Sequence, residues 1–396
     1  DPTTFRIQFT LVNDAAEALQ LRPLSGPWSF FRRLRILVGG QLVEDIDHFA
    51  RTSEMFHLLT SKHVRENNDA EGFGRPIIDQ TLDLTAADGG AAKYPGIPGA
   101  GGYQIVSFQP LSGIFAQHRY IPLRLAPIQI ELEVCNTRTD PIITPGADAI
   151  FTVGNTSALW HIENVQAKCD LLRLDNGLEN AFTKHVMDGG QLPLPYSTYA
   201  VMSQTLLSGE NGQKSVRLSM SRAVSRLKSV FVTLWNTPLA NQAARWKEFN
   251  SFYSPMRDVV RADVDAGAAG IGIPARGNYD VTMEFEFQLA VGSLMFPEYP
   301  ISGHAEAFYQ LRKCMGHHHS IVHSLDINKS QYQFGRLILG LDTDKELQAA
   351  KTGLSLKNGD LLSIKFEHAS PTAREYARTL WATLHYDATL YIQDAG

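Results

Sequence analysis

Alternation with a period of two residues recurs along this chain, and a helix cannot bury a pattern of that kind on one face. Phe5, Ile7, Phe9 and Leu11 are separated by Arg6, Gln8 and Thr10. Ile128, Ile130, Leu132 and Val134 are separated by Gln129, Glu131 and Glu133. The cleanest run sets Val281, Met283, Phe285, Phe287 and Leu289 against Thr282, Glu284, Glu286 and Gln288. Each reads as a strand with one buried and one wet face. Val216, Leu218 and Met220 repeat the pattern, while residues 230–235 are apolar on both sides and predict a central strand with Trp235 in the core. Residues 361–366 and 381–392 read as closing strands. Helical periodicity is confined to short stretches and never alternates with strands as βαβ units. The pattern predicts an all-β sandwich and excludes a doubly wound sheet.

With 396 residues the chain is long enough for two cores. The stretch NGLENAFTKHVMDGGQLPLPY, residues 176–196, is where it divides. Leu178, Phe182, Val186 and Met187 recur at helical spacing, with Lys184 and His185 in the last turns, where cations suit the helix dipole. Gly189 and Gly190 stop the helix. Leu192 and Leu194 each precede a proline and are pushed into extended backbone. We expect two units, 1–188 and 189–396. A short echo supports duplication: Arg33-Leu34-Arg35 before residues 36–38, and Arg226-Leu227-Lys228 before residues 230–232.

Turn chemistry fills in the rest. Gly39-Gly40 predicts a tight hairpin between residues 36–38 and 42–46. Residues 48–60 and 305–315 carry helical periodicity, and 246–254 can form a helical turn. Residues 66–102 and 263–277 are rich in glycine and alanine and read as long loops, 83–102 lying outside both sheets. MFPEYPISG, residues 295–303, reads as a proline-pinned turn.

No catalytic set emerges. A net charge of -5 lacks the basic surplus of a protein that wraps nucleic acid. The basic run Lys214, Arg217, Arg222, Arg226 and Lys228 suits a subunit interface at least as well as a phosphate backbone. Cys135, Cys169 and Cys314 are too few and too scattered for a disulfide scaffold or a zinc motif and read as buried free thiols. His317, His318, His319 and His323, with His304 upstream, lack the HExxH form and the geometry to converge on one metal. Glu131 with Glu133, and Glu284 with Glu286, sit two apart on strand faces, which is the ordinary wet face and no glycosidase dyad. Phosphate-loop and nucleophile-elbow motifs are missing. Asn155 and Asn328 head sequons that matter only on a secretory route. No apolar run is long enough for a membrane span. The chain opens at Asp1 without methionine, which points to a processed or trimmed N-terminus.

Five stretches, taken in order, resemble the double jelly-roll major capsid proteins of double-stranded DNA viruses, most closely those of virophages and polinton-like viruses. They are FFRRLRILVGGQLVEDIDHFARTSEMFHLL (30–59), LRLDNGLENAF (172–182), GGQLPLPYSTY (189–199), SRAVSRLKSVFVTL (221–234) and VGSLMFPEYPISGHAEAFYQLRKCMG (291–316). The resemblance implies two eight-stranded jelly rolls with short inserted helices, standing roughly perpendicular to a capsid surface. It implies a homotrimer with a pseudo-hexagonal footprint, tiling an icosahedral virion shell beside other capsomers and penton and minor capsid proteins. Such proteins carry no catalytic, cofactor-binding or metal-binding residues, so none is assigned. The loops are modest beside those of the longer members. Competing readings are a carbohydrate-binding or cell-attachment sandwich, which needs an aromatic-lined groove, and a cupin-like metalloenzyme using the histidines.

Overall fold

The alternating stretches are strands in the computed structural model, which describes residues 1–73, 96–143, 156–206, 215–220, 222–236, 248–250, 252, 285–317, 325–334, 336–344, 353–357, 361–368 and 378–393. The first half supplies β1 (Arg6–Asn13), β2 (Phe31–Val38), β3 (Gln41–Ile46), α1 (Phe49–Leu59), α2 (Lys62–Glu71), β4 (Tyr103–Phe108), α3 (Gly113–Ala116), β5 (Ile128–Val134), β6 (Trp160–Lys168) and α4 (Asn176–Met187). The second supplies β7 (Leu192–Leu206), β8 (Ser215–Met220), β9 (Leu227–Asn236), β10 (Phe285–Val291), β11 (Leu294–Ser302), α5 (Gly303–Cys314), α6 (Lys329–Phe334), β12 (Ile338–Asp342), β13 (Leu362–His368) and β14 (Arg378–Ile392).

The strands pair antiparallel into four sheets, ordered β4-β1-β6, β3-β2-β5, β12-β9-β14-β7 and β11-β10-β13-β8. The first two sheets enclose one apolar core and the last two another. Phe9 lies at the centre of the first, edge-on to Phe31 at 5.5 Å and to Phe30 and Phe108 at 6.3 and 6.4 Å. In the second, β9 is a central strand, as its sequence predicts: β12 and β14 pair with its two edges, and residues 230–234 are buried on both faces. The eight strands of the second half connect as a jelly roll.

The halves repeat one another. Pairings β1–β4, β1–β6, β2–β3 and β2–β5 recur as β9–β12, β9–β14, β10–β11 and β10–β13. A helix follows the corresponding strand in both halves, α1 after β3 and α5 after β11. Duplication is therefore visible in the topology, but the sequence echo misplaces it. Residues 33–38 lie on β2 and residues 226–232 lead into β9, whose counterpart is β1.

Local expectations hold where they rest on backbone sterics. Gly39 and Gly40 take φ of 58° and 79° and close the turn between Val38 and Gln41. Gly189 ends α4 at φ 81°. Residues 295–303 differ: all but Gly303, which opens α5, belong to β11, and the register jumps from Phe287↔Ile301 to Leu289↔Phe296. The extra residues bulge out, which gives Pro297 and Pro300 positions where no ladder hydrogen bond is needed. Gln288, expected on the wet face, is buried and donates to the carbonyls of Pro297 (2.9 Å) and Glu298 (3.2 Å), so it pins the bulge. Residues 66–71 are helical, and Ile97 is buried in a bridge to Leu21, so that part of the predicted loop packs. The stretches 74–95 and 263–277, and most of 246–254, lie outside the described residues.

Candidate functional site

One ribbon joins the two cores. β7 and β14 pair without a break from Leu192↔Ile392 to Leu206↔Arg378. Fifteen paired residues extend roughly 50 Å at about 3.3 Å each. Leu194, Tyr196 and Ile392 enter the first core, and Ala200, Leu380, Ala382 and Leu384 the second. Helix α1 bridges the cores as well, through Phe49 in the first and Met55, Leu58 and Leu59 in the second.

Three buried ionisable groups lock this seam. Glu44 falls on the inward register of β3, two residues before buried Ile46, and is almost completely enclosed. Its carboxylate accepts from the amides of Gly113 (2.8 Å) and Ile114 (3.4 Å) and from the Ser112 hydroxyl. Burial raises its pKa, and these donors oppose the rise. Gly113 is required for the approach: a Cβ there would lie 1.9 Å from the Ser197 carbonyl oxygen on β7. Nearby, the Tyr196 hydroxyl donates to the Val43 carbonyl at 3.2 Å.

Arg51, on α1, reaches into the second half. Its guanidinium donates to Thr233 Oγ1 (3.1 Å), the Leu234 carbonyl (3.4 Å) and the Glu248 carbonyl, and lies 4.5 Å from the Phe252 ring centre and 5.4 Å from that of Trp381. Burial pushes its pKa down to about 9, which leaves it charged at neutral pH. Arg65, on α2, pairs with Asp326 at 2.5 Å. Sequence reading passed over all three. Glu44 alone left a signal, a carboxylate at an inward strand position.

A groove of about 820 Å³ opens beside the seam, lined in part by Trp28, His57, Arg119, Tyr196, Tyr199 and His385. Its polar groups are held by the fold. Trp28 donates to Glu54 at 3.0 Å and packs on His57, and Tyr199 stacks between Phe56 and His385. Burial lowers the pKa of His57 and brings His385 down to about 4, so both imidazoles are neutral at physiological pH.

The residues singled out from sequence do not converge. Glu131 and Glu133 pair with Arg35 and Arg32, each at 3.8 Å, on the outer face of the first sandwich. Glu286 is exposed on β10, and Glu284 lies outside the described residues. His304 is buried between the rings of Phe285 and Tyr332, and the amide of His317 donates to the Arg312 carbonyl. His318, His319 and His323 lie outside the described residues, among which no group of three or more potential metal ligands gathers. From the basic run, Arg217 donates to Ser363 and Lys228 pairs with Asp387 at 3.1 Å. All three cysteines are free. Cys169 is exposed, contrary to the expectation of burial, while burial raises the thiol pKa of Cys135 and Cys314 to about 12. Asn328 caps α6 in a reciprocal pair with Gln331.

Neither a protein-family model nor a curated protein sequence matches the chain. Solved structures do. The Faustovirus major capsid protein superposes with a TM-score of 0.57 at 8% identity, over 98% of this chain and 85% of that one. A chain of the PBCV-1 virus capsid gives 0.56 at 10% identity, over 98% and 87%. A chain of the Sputnik virophage gives 0.54 at 11%, over 100% and 81%. With four sheets in two sandwiches, a strand order repeated between the halves and these likenesses, the chain has the double jelly-roll fold of viral major capsid proteins.

Proposed function

We propose that this chain is the major capsid subunit of a double-stranded DNA virus and resides in the virion shell. Its units are the rolls 1–188 and 189–396. Three copies close into a trimer, and trimers tile an icosahedral shell with neighbouring capsomers and with penton and minor capsid proteins. One observation carries the reading: in a single chain the order of three strands in each of two sheets occurs twice, β4-β1-β6 as β12-β9-β14 and β3-β2-β5 as β11-β10-β13. Three such chains around an axis present six near-equivalent lobes, which suits hexagonal packing. A closed trimer uses heterologous contacts, one patch against a different patch of the next copy. Apolar side chains are available for such contacts: Leu294 and Tyr299 on β11, and Leu178 and Met187 on α4, are exposed. The chemistry of the chain is self-association and not catalysis, since each candidate catalytic group among the described residues that has a named partner serves the fold.

A sugar-binding sandwich would use the seam groove. Trp28 and Tyr199 there already pack on His57, Phe56 and His385, which disfavours their use as stacking platforms for a sugar ring. Sedimentation at micromolar concentration and neutral pH tests the capsid reading, with electron microscopy of the same sample. A stable trimer with a six-lobed outline is expected. A monomer that forms nothing larger when the shell partners are supplied refutes it.

A further inference from the structure

Three imidazoles gather around α1, the helix that enters both cores. His48, at its N-terminal end, packs edge-on against Trp381 of β14, with 4.1 Å between ring centres. His57, in its last turn, packs on Trp28 of the first roll at 4.7 Å. His385, on β14, stacks on Tyr199 of β7 at 5.0 Å, and the Tyr199 ring also meets Phe56 of α1 at 4.8 Å. His57 is buried, and His48 and His385 are partly buried. The His385–Tyr199 pair marks the point where the ribbon passes between cores, since Tyr196 belongs to the first and Ala200 to the second. The register of β14 against β9 shifts at the same place, between His385 and Tyr386.

Cations face each ring. Arg32, Arg33 and Arg51 lie near His48, Arg65 and Arg336 near His57, and Lys228 near His385. Carboxylates face them as well: Asp47 for His48, Glu54 for His57, and Asp387 and Asp344 for His385. Two of these are already engaged, Glu54 by Ser25 and Trp28, and Asp387 by Ser197 and Lys228. Burial outweighs the carboxylates and holds all three rings below the ordinary 6.5, His385 at about 4. At neutral pH the seam therefore holds uncharged imidazoles beside the buried Arg51 and Arg65, and a proton on any ring adds a cation where cations are already enclosed.

We propose that α1 is an acid-released clasp between the two rolls, with His48, His57 and His385 as its trigger and the β7–β14 ribbon at Tyr199 and His385 as the hinge. An imidazole that is neutral in the closed seam and charged once exposed draws the equilibrium toward the open form. The pull begins as pH falls below about 6.5 and grows by up to about tenfold per pH unit for each ring. It ends at the folded value, near 4 for His385. Glu44 acts in the opposite sense: its raised pKa means that its share of stability is retained in acid, so β3, α3 and β7 stay joined while α1 lets go. The ribbon holds too, because its backbone hydrogen bonds do not titrate. Opening uncovers Met55, Leu58 and Leu59, which α1 buries in the second core. These contacts lie within one chain, so the inference is independent of the capsid assignment.

Amide hydrogen exchange of the full chain between about pH 7.5 and pH 5, with labelling times scaled for intrinsic exchange, follows each element separately. The opening constant of the α1 amides is expected to rise about tenfold or more from pH 6.5 to pH 5, while β1, β9 and the ribbon stay protected. An α1 that opens equally at both pH values overturns the proposal, as does parallel loss of protection in β1 and β9. The triple variant His48→Asn, His57→Gln, His385→Gln has no titrating ring at the clasp, and asparagine accepts the left-handed backbone of His48 at φ 51°. Its α1 is expected to show no rise. A rise that persists places the effect on Glu54 or another carboxylate and overturns the proposal. Exchange at the imidazole C2 carbon reads each ring in the unsubstituted protein, so the test stands even where the triple variant fails to fold. Midpoints below about 6.5 at all three rings are expected, and a midpoint at or above that value at any of them overturns it. Trimer formation at neutral pH is scored separately, so failure here is distinguishable from failure of the capsid reading.

Discussion

Glu44→Ala tests whether the buried carboxylate holds the seam. The substitution removes the acceptor for two buried amides, Gly113 and Ile114, while the Ser112 hydroxyl can turn elsewhere. An unsatisfied buried donor costs about 1–3 kcal/mol, so the two amides together cost about 2–6 kcal/mol. Against this stands the recovered cost of burying a carboxylate, which is why its pKa lies above the ordinary 4.5. The sign of the pH dependence follows. The folded state binds the Glu44 proton more tightly than the unfolded state, so this contribution to stability is fully present below the unfolded pKa and is lost as pH rises through the folded value. The penalty of Glu44→Ala is therefore smaller at pH 8 than at pH 5, and we expect about 3 kcal/mol at pH 8. Guanidinium unfolding followed by tryptophan emission, at matched protein concentration, measures it. Glu44→Gln retains one carbonyl acceptor, so it should lose less than Glu44→Ala; neither replacement ionises, so both penalties carry the same pH-dependent share from the parent's Glu44. A Glu44→Ala protein within about 0.5 kcal/mol of the parent at both pH values, or a penalty that shrinks on acidification, refutes the reasoning.

Other outcomes follow from the same contacts. Gly113→Ala drives a Cβ against the Ser197 carbonyl oxygen, where only backbone can yield, and should destabilise by about 1–3 kcal/mol or more in the same unfolding assay. Trp381→Ala empties a buried site and should cost about 3–5 kcal/mol, whereas Trp235→Ala, at a half-buried position on β9, should cost clearly less. His161 titrates above the ordinary 6.5 because Asp14 accepts from its ring nitrogen at 2.9 Å; Asp14→Asn should bring the NMR titration midpoint back down.

How much of this was legible in advance depends on the range of the interaction concerned. Trp235 shows the limit. An apolar run on both faces predicted a core tryptophan, yet the half-buried Trp235 sits opposite Thr379 near the end of the β9–β14 pairing, and Trp381 is the one enclosed beside Arg51 and His48. Helix α4 makes the same point. Its periodicity and its glycine stop were readable, but of its apolar residues only Val186 is buried, while Leu178, Phe182 and Met187 face outward. The seam left almost no trace, because Glu44 and Arg51 owe their burial to partners 69 and 182 residues away.

Strand content, the all-β class, the glycine turns and the helix-stop-strand passage at 176–196 were determined by the sequence alone. They depend on side-chain alternation and on φ restrictions that act within a few residues. Only the tertiary structure decided which strands correspond between the halves, that the prolines of β11 occupy a bulge, and that β7 and β14 run through both cores. Those outcomes depend on which distant strand supplies the partner hydrogen bonds and covers each face, and a one-dimensional pattern records the need for a partner without recording its identity.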